Sequence, residues 1–184
     1  SCDWSSDVCS SDLAAGSRDN TPVVLTGSAD GTVTYGNDSV TVDASHTEEG
    51  YLMVSYSGSN SKVKLQITGS DEITYTYNLH DGYETFPLTS GSGSYTVGVF
   101  ENIEGTSYST LFTQAIDVTI QDEFAPYLYA NQYVNFSADS KVISKAMELS
   151  ASANDDLEVI ENVYNYIITN FTYDYDKAAS VQSG

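Results

Sequence analysis

Between Gly50 and Gln121 the chain alternates apolar and polar residues in short runs, broken by turn residues every eight to twelve positions. Val63, Leu65 and Ile67 alternate with Lys62, Lys64, Gln66 and Thr68. Ile73, Tyr75 and Tyr77 alternate with Thr74 and Thr76, and Tyr95, Val97 and Val99 repeat the rhythm. A period of two places every second side chain on one face, so each run reads as a strand with one face buried and one wet. Tyr51–Tyr56 reads as a further strand, and a long one runs from about Tyr108 to Ile120. Glu84–Leu88 contains Pro87, which cannot donate to a ladder, so it belongs at a sheet edge or a strand end. Gly69-Ser70-Asp71 has hairpin spacing, with Gly69 expected to supply the positive φ. Glu101-Asn102 followed by Gly105 marks another hairpin end. Shorter strands at Val23–Leu25, Val33–Tyr35 and Val40–Val42 precede these. Several short strands with no helix between them specify a mainly β fold, an antiparallel immunoglobulin-like sandwich.

The rhythm changes at Gln121. Phe124, Tyr127, Leu128, Tyr129, Tyr133 and Phe136 crowd a short span around Pro126, a composition that linkers avoid. The segment is expected to be an ordered bridge, with an aromatic binding platform for peptide or glycan as the alternative. Lys141–Ala151 then reads as a helix, capped by Ser140 or Asp139. A second helix runs from Asn154, its expected cap, with Asp155, Asp156 and Glu158 in the first turn, where the exposed N–H groups favour negative charge. Leu157, Ile160, Tyr164, Ile167 and Phe171 recur at spacings of three and four, forming one apolar stripe. The domain boundaries that follow are 1–20 as a leader, 21–121 as the sandwich, 122–139 as the bridge and 140–184 as a helical segment.

The run YNYIITNFTYDYDKAASVQSG, Tyr164 to Gly184, resembles the helix and turn that open bacterial transglutaminase-like, papain-like thiol domains. The runs EFAPYLYANQYVNFSADS and YTVGVFENIEGTSYS resemble the non-catalytic leader that precedes this domain in secreted bacterial proteins. The resemblance covers roughly Val40 to Gly184. It implies an extracytoplasmic hydrolase or acyltransferase acting on peptide, protein or cell-wall substrates. Its nucleophile would be a Cys in a Gly-x-Cys motif at a helix start, with His and Asp following on strands. None of these positions falls within the matched residues, so the segment is expected to be a non-catalytic N-terminal portion of such a protein, cut off before the Cys. A cell-surface β-sandwich module for adhesion or binding, without enzymatic activity, is the competing expectation. Either reading places the chain at the surface of, or outside, a bacterium.

Six basic residues stand against 26 acidic ones, a formal charge of −20. Such a charge repels nucleic acid and anionic membrane surfaces, and disfavours both as partners by simple electrostatics. No run is long and apolar enough to span a bilayer as a helix. The acids are interleaved with apolar runs, so the chain is expected to fold. Tyr supplies 15 of the 22 aromatics, which suits half-buried sheet surfaces.

The remaining candidates for chemistry are weak. Cys2 and Cys9, with Asp3, Asp7 and Asp12 nearby, lack a base and further ligands. The string Asp3–Leu13, DWSSDVCSSDL, also resembles translated sequencing adapter, and is set aside from fold reasoning. His46, Glu48 and Glu49 form a trio without a second His, and His80-Asp81 is a dyad with no placed nucleophile, expected in a hairpin loop. Tyr173, Asp174, Tyr175 and Asp176 put two carboxylates on one side of an expected extended stretch. No catalytic residue, metal ligand or cofactor site is therefore assigned. The stripe through Leu157, Ile160, Tyr164 and Ile167 is expected to stay partly uncovered, with self-association or fraying as its consequence.

Overall fold

The computed structural model describes residues 16–183. The chain is a mostly β domain of two antiparallel sheets followed by a helical region. The described residues divide into two units: Val24–Ser137, and residues 16–23 together with 138–183.

The first unit opens with β1 (Leu25–Thr26), β2 (Thr34–Gly36), β3 (Val40–Asp43) and β4 (Tyr51–Tyr56). It continues through β5 (Val63–Thr68), β6 (Thr74–Asn78), β7 (Gly82–Pro87), β8 (Gly93–Glu104) and β9 (Ser107–Val118), and ends with β10 (Tyr129–Ala130). One sheet has the order β2-β3-β4-β7 and the other β6-β5-β8-β9, every neighbour antiparallel. The connections β4–β5, β6–β7 and β7–β8 therefore pass from one sheet to the other. β7 stands at the edge of its sheet, where Pro87 interrupts no further ladder.

The period-two pattern buries what it predicts. Val63, Leu65 and Ile67 face the core while Lys64, Gln66 and Thr68 stay half-buried on the other side. Val40, Val42, Leu52, Val54 and Phe86 meet them from the opposite sheet, with Tyr77, Val97 and Val99 completing the layer. β4 departs from alternation, since Tyr51, Leu52, Met53 and Val54 are all buried. Its outer face is covered as well: the Tyr129 ring lies 4.5 Å from Tyr51, and Thr85 Oγ1 sits 3.0 Å from Met53 Sδ. A strand covered on both sides needs no polar face.

The β5–β6 hairpin corrects the expectation for Gly69. The positive φ in this turn belongs to Glu72, at 63°, and not to Gly69. Glu72 N–H bonds the Gly69 carbonyl at 3.1 Å, and Gly69 N–H bonds the Ile73 carbonyl at 3.1 Å. That is a type I turn followed by a left-handed residue, so the strained position falls one turn-length after the glycine. Gly69 serves space instead, because a Cβ there would lie 2.2 Å from Ser90 Oγ.

The aromatic bridge is fastened to the sandwich. β10 pairs in parallel with β1, Tyr133 lies 5.4 Å from Tyr77, and Pro126 is buried. Pro126 Cγ sits 2.4 Å from where a Cβ on Gly50 would be, and Gly50 itself has φ of 82°. Only glycine meets both demands.

The second unit contains α1 (Lys141–Ser150), α2 (Asp156–Asn170) and α3 (Tyr175–Ser183). The α2 cap is Asp155 rather than Asn154: its carboxylate accepts from Glu158 N–H at 2.9 Å. Glu158 in turn accepts from Asn154 N–H at 2.7 Å, a reciprocal arrangement shifted one residue upstream of the usual capping box. Asn154 is occupied by residues 16–20, its Oδ1 accepting from Ser17 N–H at 3.1 Å. Arg18 reaches Asp156 at 2.6 Å, and Asn20 Nδ2 donates to the Ser150 carbonyl at 2.6 Å. Asp174 and Asp176 do not share an extended stretch. Asp174 accepts from Lys177 N–H at 2.9 Å at the start of α3, and Asp176 lies inside that helix.

Candidate functional site

The densest set of polar groups in the sandwich surrounds His46, at the start of a short 3-10 turn, Thr47–Glu49, that leads into β4. Its Nε2 lies 2.8 Å from Asp30 Oδ2 and 3.3 Å from Ser28 Oγ, while Nδ1 lies 3.4 Å from Glu49 Oε1. The ring stacks on Tyr51 at 5.3 Å and 11°. Tyr129 donates its hydroxyl to Glu49, which closes the cluster from the bridge side. Behind it, buried Asp43 accepts from Gly31 N–H at 2.7 Å and from Ser45 N–H at 2.9 Å. The loop between β1 and β2 is thus pinned to the β3–β4 connection by side chains, where no ladder reaches.

The electrostatics follow from these partners. Burial pulls the His46 pKa down, but hydrogen bonds to Asp30 and Glu49 outweigh it and hold the imidazole above the usual histidine range. Hydrogen bonds from Ser28 and His46 keep Asp30 below the ordinary carboxylate range. Burial raises Asp43, yet the Ser45 and Gly31 donors more than reverse it, so its pKa is also lowered. Burial and the Glu49 carboxylate together raise the Tyr129 phenol, which stays protonated as a donor.

Ser28, His46 and Glu49 are the residue types of a hydrolytic triad, and their order of contact matches one. Asp30 defeats it. A base must offer a lone pair on the nitrogen facing the nucleophile, whereas Asp30 draws a proton onto that same Nε2. The ring sits between two carboxylates, with Asp30 taking the nitrogen that a triad would keep free for its serine. Glu48 turns away from His46 and accepts from Gln121 Nε2 at 2.7 Å. Among the described residues no group of three or more His, Cys, Asp or Glu has metal-holding geometry.

His80 and Asp81 lie in the β6–β7 connection, which crosses between sheets and is not the expected hairpin loop. They do not pair with each other. His80 Nδ1 meets Glu84 at 3.0 Å, and Glu84 also accepts from His80 N–H at 2.8 Å and from Gln132 at 2.9 Å. Asp81 forms an isolated parallel bridge with Tyr56. Glu84 was not singled out in the sequence. A carboxylate four residues after a His on the next strand was the available signal.

In the helical unit, the α2 stripe lies open. Leu157 is 75% exposed, Ile160 62%, Tyr164 60% and Ile167 50%. Phe171, Tyr173 and Tyr175 extend the exposed apolar surface beyond the helix. α1 and α2 pack against each other, Asn162 Nδ2 donating to the Leu149 carbonyl at 3.0 Å, and Ala153 in the connection between them is fully buried. Cys2, Asp3, Asp7, Cys9 and Asp12 lie outside the described residues. No described helix is long and apolar enough to cross a membrane. Comparison with protein-family models, curated proteins and solved structures finds no match to this chain.

Proposed function

We propose that this chain is the non-catalytic β-sandwich leader and helical opening of an extracytoplasmic bacterial protein with a transglutaminase-like thiol domain. The sandwich would position that domain on peptide, protein or cell-wall substrates. The observation that carries the reading is the open stripe on α2, with Leu157 and Ile160 facing solvent beside Tyr164. An apolar row of that breadth is ordinarily covered by packed structure, and the opening helix of a thiol domain supplies such a row to its core. The reading assigns no chemistry to the described residues.

The immunoglobulin-like part of the proposal is supported by the strand orders β2-β3-β4-β7 and β6-β5-β8-β9, with three connections crossing between sheets. It is supported also by Tyr95, the third residue of β8, which donates its hydroxyl to the Gly91 carbonyl at 2.8 Å. A tyrosine bonding back to the backbone at this corner recurs in immunoglobulin-like sandwiches.

Sequencing the source DNA across both ends of this reading frame tests the proposal. A downstream Gly-x-Cys helix followed by His and Asp is the expected result. A stop codon after Gly184, or a further sandwich repeat, would sink it and favour a surface adhesion or binding module without enzymatic activity.

A further inference from the structure

Val24–Ser137 carries fourteen carboxylates and only two basic residues other than histidine, Lys62 and Lys64. Both lysines line the same groove, of about 410 Å³, together with His80, Asn78, Gly105 and Tyr108. The groove lies where the β4–β5, β6–β7 and β8–β9 connections come together. Backbone bonds hold that frame: Leu79 N–H to the Val63 carbonyl at 3.0 Å, and Asn102 N–H to the Lys62 carbonyl at 3.0 Å. Among the described residues neither lysine forms an ion pair with any carboxylate. Lys64 Nζ instead donates to Asn78 Oδ1 at 2.5 Å. Glu101, the carboxylate paired across the sheet from Val63, accepts the Tyr56 hydroxyl.

On so acidic a surface, ammonium groups ordinarily find carboxylates, because opposite charges attract over about 8–10 Å at moderate salt. Two that share a polar groove and make no ion pair leave a positive site inside a negative field. The lining offers ammonium, amide, imidazole and phenol groups, with few apolar atoms to take a greasy ligand. Lys acts as a compact point charge, without the fork that takes carboxylate or phosphate bidentately. The volume falls within the range of small-molecule sites.

We propose that this groove binds the carboxylate of an acidic sugar, a hexuronate in its simplest form. Lys62 and Lys64 take the carboxylate, while Asn78 and Tyr108 take ring hydroxyls. The proposal concerns the sandwich alone and does not depend on what the helical unit belongs to.

The test is a backbone-amide NMR titration of the whole chain with glucuronate, and with glucose and inorganic phosphate as controls. Saturable shifts are expected at residues 61–64, 78–80 and 105–108 with glucuronate, weakening as salt is added. Lys62→Ala and Lys64→Ala should each weaken binding about tenfold, the loss of one charge-assisted hydrogen bond. Lys62 is exposed and Lys64 half-buried on the outer side of β5, and unchanged spectral dispersion elsewhere will show that each variant is folded. The proposal is overturned by no saturable shift at about 20 mM ligand, far above useful affinity. It is overturned equally by glucose or phosphate binding as well as glucuronate, or by unaltered binding in both variants.

Discussion

The Tyr95 hydroxyl donates to the Gly91 carbonyl at 2.8 Å, tying the first residues of β8 to the connection that brings the chain over from the other sheet. Tyr95 is only 1% exposed, and burial raises its phenol pKa, so the group remains a donor. Tyr95→Phe removes the bond while keeping the ring. We expect a loss of about 1 kcal/mol, the usual net worth of such a bond. Urea unfolding should show the midpoint fall with the slope unchanged. An unshifted midpoint would mean that the corner is held by ring packing alone.

Glu72 carries φ of 63° in the β5–β6 turn. A non-glycine residue there costs about 1 kcal/mol or more, partly offset by the extra unfolded-state entropy that glycine brings. Glu72→Gly should therefore stabilise the sandwich by about 0.5 kcal/mol. Thermal unfolding of the two proteins side by side decides it; a lower midpoint for the variant would refute the strain.

His46 has a pKa raised in the folded state by Asp30 and Glu49, against the opposing effect of burial. Its contribution to stability is therefore fully present below the unfolded histidine value and is lost as pH rises through the folded value. Chemical unfolding from about pH 5 to about pH 9 should show wild type losing its advantage over His46→Gln toward the alkaline end. Proton NMR of the ring should give a titration midpoint above the ordinary histidine range. A midpoint below that range would show that burial dominates after all.

Asp43 works in the opposite direction. Its folded pKa is lowered by the Ser45 and Gly31 donors despite burial, so its contribution is present above the unfolded value and lost as pH falls through the folded one. Asp43→Ala leaves two backbone N–H groups without their acceptor, and we expect a cost of about 3 kcal/mol. Asp43→Ser, able to accept from one of them, should recover part of it. Equal losses in both variants would point to packing instead of hydrogen bonding.

The open stripe on α2 should make the chain associate or bind an apolar dye. Ile160→Glu, at a 62% exposed position, is expected to reduce both without loss of helix content by circular dichroism. Hydrogen exchange should find Tyr164–Phe171 less protected than β5 or β8. Full protection of that stretch in a monomer would show that the face is covered.

Much of the fold was legible locally. The alternation from Val63 to Thr68 foretold which side of β5 is buried, Pro87 foretold an edge, and the spacing of Leu157, Ile160 and Tyr164 foretold one face of α2. The cap fell on Asp155 because Asn154 has partners at Ser17, far away in sequence. That His80 would not pair with its neighbour Asp81 was legible, because adjacent residues tend to point apart, but its meeting with Glu84 depended on how the β6–β7 connection crosses between the sheets.

What the sequence determined by itself is therefore periodic: where strands and helices run, and which face of each is apolar. Those properties depend on residues two to four apart, whose geometry is set by the backbone. Only the tertiary structure decided which sheet each strand joins, that Asp30 reaches His46 across sixteen residues, and that Lys62, His80 and Gly105 line one groove. These are contacts between distant segments, chosen by how two buried faces pack, and no local pattern encodes them.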